Sequence, residues 1–232
     1  MKKIYYITAV FATLFLVGCG DGIDLPGVNV ETDLNKIPLP DNNVNLEQVE
    51  LKPSTEPMLH EGLHTEEDFQ RIRDKKAAGE EPWVSAYQLL VESQFSQKTA
   101  DTYPTEWIKR GISGDENYMN AARGATIVYQ QALRWKIEQD DEYAAKAVEN
   151  LNKWVQTCVG VTGNTNLSLA AGLYGYEFAI AGELLRDYGG WDRADFAAFQ
   201  NWLLKVFYPA NDDFLKRHHD TNALHYWANW CL

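Results

Sequence analysis

Cysteine is scarce in this chain, with three in 232 residues, and that excludes a small domain stapled by disulfides. Positive charge is scarce as well: 21 Lys and Arg stand against 33 Asp and Glu, a net −12, which argues against a nucleic-acid partner held by bulk electrostatics. Long apolar runs are missing, since the stretch from Ile4 to Val17 falls short of the roughly 20 residues a membrane-spanning helix needs. Strand-like alternation is absent from the pattern, and so is a repeat of the tetratricopeptide kind. What remains is ordinary globular material, 45% hydrophobic and 23% charged, too apolar for wholesale disorder and too irregular for a fibre.

The chain opens with Lys2 and Lys3 ahead of that apolar run, the charge and length pattern of an export signal. The run ends Leu16-Val17-Gly18-Cys19, which resembles the lipobox of bacterial lipoproteins. Residues 1–18 then read as a lipoprotein signal peptide and Cys19 as the lipidated residue, whose two or three acyl chains hold a protein stably to a membrane. Loss of Lys2 and Lys3 leaves 19 basic residues against 33 acidic, or −14. The expected location is a membrane-anchored lipoprotein, periplasmic or at the outer membrane or cell surface. From residue 19 to 57 the chain is rich in Asp, Asn, Pro and Gly and has no period, as expected of a flexible tether. Its reach as a coil is about 35 Å.

Residues 58–232 read as one helical domain. Thr65 with Glu66, Glu67 and Asp68 marks a helix start, and Gly79 a helix end. Pro82 suits the first position of a helix running to about Phe95. Residues 96–113 are polar and irregular, a long loop of the kind that often carries function. Helices follow over Asp115 to about Glu138, around Tyr143, Ala147, Leu151, Trp154 and Cys158, around Leu167, Ala171, Tyr174, Phe178, Ala181, Leu185 and Tyr188, and over Asp192 to Phe207, where Pro209 is read as a stop. Short joints between them predict antiparallel helical hairpins. The fold class is all-α. Most of the 8 Trp, 12 Tyr and 9 Phe sit at core spacing, so they read first as packing and only second as sugar platforms.

The last segment gathers polar groups. With Asp220 or Thr221 as N-cap, Asn222, His225 and Asn229 share one helical face, and His219 lies at the helix start, where N–H groups and the dipole favour a carboxylate. Adjacent His218 and His219 do not share a face and have no third ligand spaced to complete a zinc site, so no metal is assigned. His60 and His64 read as loop and cap residues, and Cys158 as a small buried apolar residue. No inward pair of carboxylates suggests a glycoside hydrolase.

The run Thr221-Asn222-Ala223-Leu224-His225-Tyr226-Trp227-Ala228-Asn229-Trp230, preceded by NLSLAAGLYGYEFAIAGELLRDYGGW and FYPANDDFLKRHHD, resembles the alginate lyase superfamily of polysaccharide lyases over roughly residues 64–232. The resemblance implies an (α/α) toroid and β-elimination on a uronate-containing acidic polysaccharide, with no cofactor. In such enzymes an Asn and a His from this region enter the active cleft. Aligned on Tyr226-Trp227, Asn222 takes the first Asn of the family's Asn-Asn-His run, Ala223 and Leu224 take the next two places, and His225 follows one place later.

Removing the proton α to a uronate carboxylate builds enolate charge, so the site needs a donor on that carboxylate and a base near C5. Asn222 suits the donor role, His225 or His219 that of base, and a Tyr can protonate the leaving oxygen; Tyr226 completes the candidate catalytic set, although the resemblance implies a Tyr and an Arg from later in the chain. Because Tyr226 to Leu232 is apolar and uncapped, residues 58–232 are expected to be an incomplete toroid, truncated at the C-terminus. The alternative is a non-catalytic glycan-binding or scaffold lipoprotein, or an inactive fragment of a lyase, to which the Ala223-Leu224 departure and the net −14 both point.

Overall fold

The computed structural model describes residues 63–218, with side chains to residue 216. The signal segment 1–18, Cys19, the tether 19–57, His60, His219, Asn222, His225 and Tyr226 lie outside the described residues.

Helix α1 (Glu66–Ala77) begins with a capping box: the Thr65 hydroxyl accepts from the Asp68 N–H, and the Asp68 carboxylate accepts from the Thr65 N–H. Acids in its first turn and Lys75 and Lys76 in its last complement the helix dipole. Helix α2 (Trp83–Glu92) starts one residue after Pro82, which stands as its N-cap, and a 3₁₀ turn at Gln94–Ser96 follows.

Helix α3 (Tyr118–Glu138) ends at Gln139 in the left-handed region, φ 58°, and Asp140 caps α4 (Asp141–Thr157) at once, its carboxylate accepting from the Glu142 N–H. So tight a link lays α4 back along α3. Helices α5 (Asn166–Leu185), α6 (Arg193–Val206) and α7 (Tyr208–His218) complete the described part.

The packing alternates. Helix α3 lies against α1 and α5, and α5 against α7, while α4 and α6 pack on each other and onto that row. Helix α5 accordingly buries residues around most of its circumference, among them Ser168, Gly172, Tyr174, Phe178, Gly182 and Leu184. Helix α4 buries a single stripe, Tyr143, Ala147, Leu151 and Trp154. Where α4, α5 and α6 meet, Phe178 packs against Trp154 at 5.4 Å and edge-on to Trp202 at 5.2 Å between ring centroids. Phe207 meets Trp202 edge-on at 5.0 Å, and Trp191 extends the cluster through Phe199. The aromatic residues at core spacing are therefore core, and Cys158 beside them is buried as a free thiol.

Three expectations need correction. The pattern held no strand, yet Trp107–Arg110 (β1) and Gly160–Gly163 (β2) pair in parallel, Trp107 opposite Gly160 and Arg110 opposite Gly163. Four residues are too few for alternation to register. The loop drawn at 96–113 thus contains β1, and α3 starts at Tyr118 rather than Asp115. The helix over Asp192 to Phe207 does end at Val206, but Pro209 then occupies the first turn of a further helix, α7, where a missing N–H costs nothing.

Candidate functional site

Strand β1 delivers Arg110 to the seam between α3 and α5. The delivery depends on Gly163, which lies at φ 146° so close to the paired strand that a Cβ there would fall 1.7 Å from the Arg110 carbonyl oxygen. No other residue fits that approach.

At the seam the Arg110 guanidinium is held from two sides. Its Nη1 donates to the Tyr174 hydroxyl at 3.2 Å, and its carbon sits 4.5 Å from the centre of the Tyr118 ring. The two tyrosine rings lie nearly parallel, 7° apart, with centroids at 6.4 Å. A guanidinium fixed in this way keeps further N–H donors in a planar fork, the geometry that recognises a carboxylate in a bidentate manner. Tyr174 comes from the middle of α5 and is almost wholly buried. Burial pushes its phenol up to about 12, against the opposing pull of the Arg110 charge, so it stays protonated at neutral pH.

One turn along α5 stands Glu177, a carboxyl within the apolar stretch from Leu169 to Gly182. Burial pushes it up to about 7, opposed only by the hydrogen bond from the Thr126 side chain on α3. Farther along the seam Tyr129 is pushed up to about 12 by burial, with the acids of Tyr176 and Glu177 adding to the rise. The Tyr129 hydroxyl and His64 Nε2 are 2.6 Å apart, and the two rings stack 5.9 Å apart. Desolvation lowers the His64 imidazole below its ordinary value, only partly offset by Asp68, which favours the neutral ring as acceptor of the Tyr129 proton. The seam therefore presents one fixed cation, then a carboxyl poised near neutrality, then a phenol joined to an imidazole. That combination suits binding a carboxylate and moving a proton near it.

None of Asn222, His225, His219 and Tyr226 falls among the described residues, so the seam is an addition to that set. His64, read from sequence as a cap residue, does sit just before the N-cap Thr65, and its ring is spent on Tyr129. Arg110, Tyr118, Tyr129, Tyr174 and Glu177 escaped the sequence reading. Tyr174 was assigned to the core by its spacing, which is half of its role. The signal that could have found the seam was Glu177, a lone acid within LAAGLYGYEFAIAG.

Among the described residues no group of three His, Cys, Asp or Glu side chains is placed to hold a metal ion. Comparison with curated proteins and with solved structures finds no match. A family model described as alginate lyase matches residues 72–232, a span that takes in β1, β2 and every helix from within α1 onward, including all of the seam except His64. By that match the chain belongs to the alginate lyase family.

Proposed function

We propose that the protein is a polysaccharide lyase that cleaves a uronate-containing acidic polysaccharide by β-elimination. The observation that carries the reading is the Arg110 guanidinium, clamped by Tyr118 and Tyr174 with donors to spare, in a chain of this family. Arg110 takes the uronate carboxylate and so withdraws charge from the enolate that forms when the C5 proton leaves. Asn222 adds a second donor on that carboxylate. His225 or His219 is the base, and Tyr226 returns a proton to the departing glycosidic oxygen, so the C4–O bond breaks as the C4–C5 double bond forms. No cofactor enters this sequence of steps. Tyr174 acts through Arg110 and is a positioning residue.

The alternation of α3, α5 and α7 against α4 and α6 is what successive hairpins of an (α/α) toroid produce, and we read the described helices as an arc of one. Cys19 is proposed as the lipid anchor that places the enzyme on a membrane, periplasmic or outward-facing.

The test is the ultraviolet absorbance of unsaturated uronate ends on a panel of uronate polymers. A rise with at least one polymer is expected, and Arg110→Ala lowers turnover by about 10²-fold or more, the usual effect of removing a donor to a developing oxyanion. A flat trace on every polymer refutes the lyase reading and leaves a glycan-binding lipoprotein.

A further inference from the structure

A second hollow opens on the other side of α3. Asn120, Arg123 and Ile127 recur three and four residues apart, on the flank turned away from Tyr118 and Tyr129. With the segment 94–103 they enclose a pocket of about 310 Å³, whose walls include Gln94, Phe95, Thr99 and Tyr103.

The wall formed by that segment is built, although it has almost no regular secondary structure. Two fully buried amides hold it. Asn150 accepts from the Thr102 N–H at 3.2 Å and donates to the Ala100 carbonyl at 2.9 Å; Gln131 donates to the Gln97 and Ala100 carbonyls at 2.9 and 3.2 Å. Asn150 also donates to Gln131 Oε1 at 3.1 Å, which locks the two amides together. At the floor, Gly124 lets Thr102 and Trp154 close on α3: a Cβ there would fall 2.7 Å from the Thr102 hydroxyl and 2.3 Å from the indole nitrogen. The pocket thus exists before any ligand arrives.

Its charge is selective. Asp101, the one acid on the wall, accepts from Lys146 at 2.7 Å and Lys153 at 2.9 Å, both on α4. Glu149 pairs with the same two lysines, so the four charges cancel. Arg123 is exposed and has no ion-pair or hydrogen-bond partner among the described residues. In a chain of net −12 the only uncompensated charge on this wall is positive. Beside it Tyr103 is 75% exposed, the most exposed large hydrophobic side chain among the described residues. An open aromatic ring, a spare guanidinium, an amide and a hydroxyl around one hollow are the groups that bind an acidic sugar.

We propose that this pocket is a second binding site for a hexuronate unit, separate from the seam at Arg110. Arg123 takes the carboxylate, the Tyr103 ring lies against the sugar face, and Asn120 and Thr99 meet hydroxyls. The choice of sugar class rests on the substrate class proposed above. The site holds a stretch of polymer that is not being cut, so successive units are retained near the cleft.

The test uses the full chain carrying Arg110→Ala, which removes the seam's carboxylate anchor, and isothermal titration with a saturated hexuronate tetrasaccharide at low salt. A carboxyl-reduced, neutral tetrasaccharide is the control. The Arg110→Ala chain binds the acidic sugar, and adding Arg123→Gln weakens that binding about tenfold or more while leaving the neutral sugar unaffected. Tyr103→Ala weakens both sugars, and Tyr103→Phe restores them. Arg123 and Tyr103 are exposed, so each variant melts as its parent does. No binding by the Arg110→Ala chain, no effect of Arg123→Gln, or equal loss of both sugars overturns the proposal. Failure of the lyase reading is seen separately, as absence of unsaturated product from the wild-type chain.

Discussion

Glu177 makes the seam pH-sensitive in a direction opposite to that of the surface carboxylates held by ion pairs and caps. Its carboxyl is raised from 4.5 to about 7, mainly by burial. Between those two values the folded chain keeps a proton that the unfolded chain has lost, so the unfolded state binds fewer protons and folding stability falls as pH rises. The loss begins near the unfolded value, runs to about pH 7, and is complete above it. At about 1.4 kcal/mol per unit, a shift of this size weakens the folded state by about 3 kcal/mol at pH 8 relative to pH 4.

The perturbation that isolates the effect is Glu177→Gln, which keeps the size of the side chain and an oxygen to accept from Thr126 but has nothing to ionise. Asp68, Asp101, Asp140 and Glu149 titrate in the usual sense: partners hold their carboxyls below the ordinary range, and the stability they lend is lost as pH falls. They are present in both chains and cancel in the difference. Urea unfolding of the two, from pH 4 to pH 8, should therefore give equal stabilities at the acid end. The variant gains steadily above about pH 5, reaching about 3 kcal/mol by pH 8. For a domain of this size that is about 6 to 12 °C in melting temperature. Parallel profiles, or a variant that is uniformly less stable, refute the assignment of a buried, uncompensated carboxyl at this place.

Three further outcomes follow from the geometry. Asn150→Ala leaves the Thr102 N–H and Gln131 Oε1 without their partners in a buried place, at about 1–3 kcal/mol each, so denaturant melts show a loss of several kcal/mol and amide exchange quickens selectively over residues 97–102. Phe178→Ala removes the ring on which Trp154, Trp202 and Phe207 converge, and costs about 3–5 kcal/mol in the same melts, whereas loss of the exposed Leu89 side chain changes stability by less than about 0.5 kcal/mol. Cys19→Ala releases the protein from the membrane pellet into the soluble fraction on cell fractionation; equal partitioning of variant and wild type removes the anchor proposal.

The helices were legible because each obeys a local rule. Thr65 and Asp68 form the capping box that α1 displays, and the 4, 4, 3, 4 spacing from Tyr143 to Cys158 is the stripe that α4 buries. What could not be read locally was anything set by two distant segments at once. Strands β1 and β2 lie more than 50 residues apart, and each is too short to announce itself. Gln131 and Asn150 break the apolar period of their helices, so a pattern search passes over them, although together they fix the irregular segment 97–102. Arg110 sits in a polar stretch that promises only a loop, and its role appears once Gly163 draws the two strands together. The end of α6 before Pro209 was legible and α7 beyond it was not, because a proline that follows one helix equally well opens the next.

The same economy explains why the seam was hidden in what looked like core. Helix α5 turns Phe178 into the aromatic cluster while the Tyr174 hydroxyl meets Arg110 on β1 and Glu177 meets Thr126 on α3, and these residues, three and four apart, lie side by side on one stretch of the helix surface. A tyrosine at such a position satisfies the hydrophobic pattern with its ring and the site with its hydroxyl, so spacing alone cannot tell the two uses apart. The ring of Tyr174 stacks near Tyr118 and is buried, which sets its position; that position in turn aims the hydroxyl at Arg110 Nη1. The orientation of the guanidinium is therefore fixed by core packing on one side and by the tight Gly163 crossing on the other. A carboxylate meeting that guanidinium finds donors whose ordering was already supplied by the fold, which is what a site stabilising a developing enolate requires.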